Sequence, residues 1–108
     1  HEAVLDTVNF LKSKTNAKYY VVSNNFHATI RKGLNQLGLL SRFSKIVGID
    51  DSRKPKPSTR SLSLLGLSDE MIHKKSIFIG DSDITDGALC KKAKIPFINI
   101  AKKTIQIY

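Results

Sequence analysis

The chain reads as a single α/β domain built on a mainly parallel sheet, and three observations predict it. Short β-rich apolar runs alternate with amphipathic helical stretches along the whole length. Polar clusters follow those runs directly, where open parallel sheets gather their active residues at the carboxyl ends of strands. The 108 residues, 41% of them hydrophobic, suit one compact core.

The elements follow in order. Val4, Leu5, Val8 and Leu11 stand at helical spacing between Ala3 and Leu11, and Lys18 to Val22 forms a strand that stops at Ser23-Asn24-Asn25. Ile30, Leu34 and Leu37 mark a second amphipathic helix, which Gly38 ends by supplying a left-handed cap. A short strand is expected from Lys45 to Ile49. Asp50 to Pro57, polar and interrupted by Pro55 and Pro57, is expected to be loop. A helix resumes over Thr59 to Leu65 and ends at Gly66. Ser76 to Gly80 is a buried-type strand, followed by the acidic stretch Asp81 to Asp86 and a helix from about Gly87 to Lys94. Pro96 to Ile100 closes the series as a strand, with proline in the first position where it costs no ladder bond.

Composition narrows the function classes. The apolar blocks Ile77 to Ile79 and Ile95 to Ile98 are far shorter than the roughly 20 residues of a membrane helix. Cys90 is the only cysteine, so no internal disulfide forms, and with no leader-like opening the expected compartment is the reducing cytoplasm. The net charge of +9 suits anionic substrates, nucleic acid or a membrane surface equally. The lysines are dispersed, however, with only Lys74/Lys75, Lys91/Lys92 and Lys102/Lys103 adjacent and no aromatic residues interleaved. That pattern is a solvated lysine-rich surface, and neither a nucleic-acid partner nor a membrane is expected.

Three constellations carry chemistry. In Ile77 to Asp86, an apolar strand delivers Asp81, Asp83 and Asp86 into a strand-to-helix turn, with Gly80 permitting close backbone approach. Three carboxylates so close repel one another unless a cation compensates, and Mg2+ is the hard, oxygen-seeking ion that fits. Helix capping accounts for one of them at most. The strand ending at Ser23 presents a hydroxyl and turn amides suited to phosphate oxygens, although Ser and Asn also end many strands as plain turns. In Arg53 to Pro57, the stretch that contains Lys54, a lysine held by flanking prolines offers a point charge with little conformational freedom for a phosphoryl oxygen; alone, a solvated basic turn explains it as well.

In that order, Ser23, then Lys54, then Asp81 with Asp86, the residues resemble the second, third and fourth motifs of the haloacid dehalogenase-like hydrolases, in the branch that contains the phosphoglycolate phosphatases. The resemblance runs from about Val4 to Ile100. It implies a Rossmann-like three-layer sandwich and an Mg2+-dependent phosphohydrolase acting on a small phosphorylated metabolite through an aspartyl-phosphate intermediate. It further implies that Ser23 and Asn24 bind phosphate, that Lys54 neutralises it, that Asp81 ligates Mg2+ and that Asp86 positions the metal's shell.

The departures from the family pattern are equally specific. Family members open with a strand ending in Asp-x-Asp, whose first carboxylate attacks phosphorus and whose second is the acid/base. No such strand precedes the first helix here, and Asp50-Asp51 stands in the wrong place to substitute. The expectation is therefore a core domain incomplete at its N-terminus and inactive by itself, its missing strand supplied by a longer parent chain or another subunit. Lys94 replaces the glycine usual before the last strand. A non-catalytic binding or interaction module of the same fold fits the missing nucleophile equally well. A phosphoaspartate receiver domain does not fit, because it needs its acidic pair before its Ser/Thr and Lys.

Overall fold

The structure is a computed structural model that describes residues 6, 9, 10, 13 and 16–108. The apolar positions of the expected first helix, Val4, Leu5, Val8 and Leu11, lie outside the described residues. Asp6, Asn9, Phe10 and Ser13 are helical and exposed.

From Asn16 onward the order is β1 (Tyr19–Val22), α1 (His27–Gln36), a 3-10 turn (Leu40–Arg42), β2 (Phe43–Val47), α2 (Ile49–Ser52), α3 (Arg60–Ser63), α4 (Asp69–Lys74), β3 (Phe78–Gly80), a π-turn (Asp83–Gly87), α5 (Ala88–Ala93), β4 (Phe97–Asn99) and β5 (Thr104–Gln106). The strands form two sheets. β1 pairs with β2 in parallel, Val22 standing opposite Val47, while β3 pairs in parallel with β4 and β4 antiparallel with β5. An α/β domain is thus present, but in place of one mainly parallel sheet there are a parallel pair and a mixed trio. The mixing comes from β5, which turns back through Ala101 to Lys103, Lys103 taking the left-handed φ of 57°.

The glycine signals act as the sequence predicts. Gly38 and Gly66 carry φ of 69° and 75° and end the turns after α1 and α3. Lys94 adopts the same left-handed conformation, φ 56° and ψ 49°, at the end of α5, so a side chain pays there for what glycine takes freely. Other boundaries shift. β2 begins and ends two residues earlier than expected, and the Asp50–Pro57 loop opens with one helical turn, α2. That turn forms because Asp51 Oδ2 accepts the Gly48 N–H at 2.8 Å while Asp50 Oδ1 accepts the His27 N–H at 2.8 Å, satisfying donors at the starts of both α2 and α1.

The main core lies around the second sheet. Leu62, Ile72, Leu89, Cys90, Ala93, Ile95 and Phe97 form one buried cluster, with Val22, Leu65, Leu67 and Phe78 packed on it. Leu39, Ile46 and Val47 are buried behind the first sheet. Among the described residues no helix is long and apolar enough to cross a membrane.

Candidate functional site

The two sheets do not join, and the space between them is the site. A cleft of about 190 Å3 is lined by Val22 at the end of β1, by Phe78, Ile79 and Gly80 of β3 with Asp81 directly after it, and by Lys56, Asp86 and Ile100. Both bordering strands turn backbone groups toward it. Phe78 N–H donates to Pro96 and Ile100 N–H donates to Gly80, so alternation along a parallel ladder directs the Ile79 N–H and C=O away from β4. By the same alternation Ser23 N–H reaches Val47 and Val22 faces the cleft.

Asp86 is the centre of the arrangement. It is 3% exposed, and Oδ1 accepts the Lys56 ammonium at 2.5 Å in an ion pair that is itself mostly buried. Its other oxygen lies 3.4 Å from the Ser82 N–H. The π-turn delivers it there: Asp86 and Gly87 both donate backbone N–H to Ser82 C=O, the wider turn absorbing one residue more than an α-turn would. Gly80 is required beside it, because a Cβ at that position would sit 2.7 Å from the Asp86 carboxyl carbon. Lys56 Nζ also stands 5.8 Å from the centre of the Phe78 ring, on whose face a cation is stabilised. Burial of a charge is tolerated here because each partner neutralises the other.

Asn24 connects this pair to the end of β1. Its Oδ1 accepts the Lys56 backbone N–H at 2.8 Å, fixing the proline-flanked loop against the Ser23–Asn25 turn. The three polar clusters are therefore physically linked: Asn24 holds Lys56, and Lys56 holds Asp86.

The individual site residues fall into place unevenly. Asp81 and Asp86 line one cleft. Ser23 uses its hydroxyl locally, accepting the Asn25 N–H at 3.0 Å, and although it follows Val22 it is not among the residues that line the cleft. Lys54 is exposed, and its backbone N–H and C=O both meet the Ser52 hydroxyl. The lysine whose ammonium enters the cleft is Lys56, two residues on. Both lysines precede a proline, and Lys56 alone has one on each side, Pro55 and Pro57, but it is the Asn24 contact that decides between the two.

The expected convergence of three carboxylates does not occur. Asp83 faces the other way, with Oδ2 2.5 Å from Lys102 Nζ and Oδ1 accepting Asn99 Nδ2 at 2.8 Å. These two hydrogen bonds, that from Lys102 first, hold its carboxyl below the usual carboxylate range. Among the described residues no group of three or more His, Cys, Asp or Glu side chains is placed to hold a metal. Two carboxylates do share the cleft, and that fits Mg2+, which keeps most of its water and takes one or two protein carboxylates with the rest from phosphate. Asp81 is exposed and makes no hydrogen bond or ion pair among the described residues, so its oxygens are available as ligands.

Cys90 lies beneath the site, fully buried in α5. Burial chiefly, with the nearby Asp86 charge, pushes its thiol up to about 12, so it is a packing residue and not a nucleophile.

Comparison with protein families matches residues 1–100 to the model described as haloacid dehalogenase-like hydrolase. Comparison with curated proteins and with solved structures gives no match.

Proposed function

Because the chain belongs to the haloacid dehalogenase-like hydrolase family, we propose that its cleft is the phosphate and metal cradle of an Mg2+-dependent phosphohydrolase acting on small phosphorylated metabolites, as in the phosphoglycolate phosphatase-like branch. The observation that carries this reading is the meeting of Asp81, Asp86 and Lys56 in one cleft between the carboxyl ends of β1 and β3. Asp81 binds the cation directly. Asp86, pinned by Lys56 and backed by Gly80, orients the cation's shell. Lys56, and not the exposed Lys54, neutralises a phosphoryl oxygen, with Asn24, in the turn that begins at Ser23, fixing its backbone. Mg2+ when bound supplies positive charge opposite the developing charge on the phosphoryl group, the largest electrostatic contribution to this kind of transfer.

The nucleophilic carboxylate enters on a strand that occupies the space between β1 and β3, from a longer parent chain or another subunit. Support comes from the cleft-facing backbone groups of Ile79 and Val22, which a parallel strand would satisfy. Asp83 does not fill that role, since Lys102 and Asn99 hold it outside the cleft.

Adding orthophosphate to the chain with and without Mg2+, read by amide chemical shifts at Lys56, Gly80 and Asp81, tests the cradle. Phosphate is expected to move these signals only when Mg2+ is present, and Asp81→Asn is expected to abolish the response. Phosphate binding indifferent to both Mg2+ and Asp81→Asn would refute the reading. Hydrolysis of a simple phosphomonoester, run alongside, is expected to be absent from the chain alone.

A further inference from the structure

Asp83 is the one carboxylate of the acidic turn that the cradle does not use, yet it is the best partnered. Asn99, in β4, is 1% exposed and spends its whole amide on this corner. Its Nδ2 donates to Asp83 Oδ1 at 2.8 Å, and its Oδ1 accepts the Ala101 and Lys102 N–H groups at 3.0 Å each. Lys102 then returns its ammonium to the other Asp83 oxygen. A closed ring results, tying the first residue of the π-turn to the end of β4 and to the reversal that leads into β5.

We propose that Asp83, Asn99 and Lys102 form a positioning clamp for the metal-binding turn. The inference rests on the cradle reading above and extends it to residues that touch neither cation nor phosphate. The clamp acts on geometry. Asp83 begins the five-residue π-turn and Asp86 is its fourth residue, and a turn fixed at its first position and ion-paired at its fourth leaves the Asp81–Asp86 spacing little freedom. Supporting residues of this type commonly affect metal affinity by about 10- to 100-fold.

Charge and position predict opposite signs at Lys102, which makes it the decisive variant. Removing a positive charge near a cation site should tighten cation binding if electrostatics alone matters. Releasing the clamp should loosen it. Mn2+ affinity of the full chain, measured from the free-ion resonance, is expected to fall about tenfold in Lys102→Met and to recover in Lys102→Arg, with Lys32→Met on α1 as an unchanged control. Because the Lys102–Asp83 pair is exposed, the thermal midpoint should move little.

Unchanged or tighter Mn2+ binding in Lys102→Met overturns the clamp. Should the wild-type chain bind no Mn2+, the cradle reading fails, and amide exchange then judges the clamp alone. The Asp86 and Gly87 N–H groups, both bonded to Ser82 C=O, are expected to exchange faster in Lys102→Met and Asp83→Asn. Equal exchange in both variants and wild type overturns it.

Discussion

Gly80 and Asp86 are a pair in which one residue's lack of a side chain makes room for the other's charge. A methyl group on Gly80 would overlap the Asp86 carboxyl, which is held by the Lys56 ammonium on one oxygen and anchored in the π-turn. Gly80→Ala is therefore expected to break the Lys56–Asp86 pair, leaving a mostly buried charge uncompensated at a cost of about 3 kcal/mol or more. Equilibrium denaturation measures this, and a loss below about 1 kcal/mol would show that the turn relaxes around the methyl group. At this scale the sequence identifies Gly80, Asp81 and Asp86 correctly as neighbours, because strand, glycine and acids are contiguous. It does not separate Lys54 from Lys56: both precede a proline, and the difference lies in a hydrogen bond to Asn24, 32 positions away.

Elements differ in how far their own residues determine them. α4 has a local start signal, Ser68 accepting the Met71 N–H at 3.2 Å with Asp69 and Glu70 in the first turn, yet the expected elements pass from Gly66 to Ser76 without it, because a six-residue helix that buries Ile72 alone leaves no apolar periodicity to read. α2 has none that reads as helix, since Asp50-Asp51 look equally like loop; it is held by bonds to Gly48 and to the start of α1. The Gly48 N–H first, and His27 Nδ1 at 2.7 Å second, keep the Asp51 carboxyl below its usual 3.8. A group whose folded pKa is depressed stabilises the fold above its unfolded value, and that contribution disappears as pH falls through the folded value. Asp51→Asn should accordingly be less stable than wild type from pH 5 upward, with the difference shrinking below pH 3.8. Urea midpoints for the two proteins, compared from neutral pH down to well below 3.8, check it. A difference that persists undiminished at the acid end would mean that Asp51 acts by shape and not by charge. β5 was not legible for a related reason: Thr104 to Gln106 is short and exposed, and only its pairing with β4 makes it a strand.

At the scale of the molecule, the fully buried Leu89 and Cys90 sit where α5 covers the second sheet, at the heart of the main core. Leu89→Ala is expected to cost about 2–5 kcal/mol, a large share of a small domain's stability. Cys90 reports the same event chemically. With no exposure and a thiol pushed up to about 12, it should resist thiol reagents in the native chain and react at a rate that rises in step with the Leu89→Ala destabilisation. Rapid labelling in both proteins would show that α5 opens independently of the core. The alternation of strands and helices made the α/β class readable from the sequence, whereas the division into two sheets was not. That division depends on which strand edges meet in space, and an apolar run carries no record of its neighbour.

The Lys56–Asp86 pair also sets an order of events on the proposed reading. With those two charges cancelling, the cleft is left with Asp81 alone and stands one unit negative, although the chain as a whole carries +9. A phosphate dianion arriving first would meet a like charge at the cleft wall. A divalent cation arriving first reverses the sign and turns the same cleft into an anion trap, so metal leads and substrate follows.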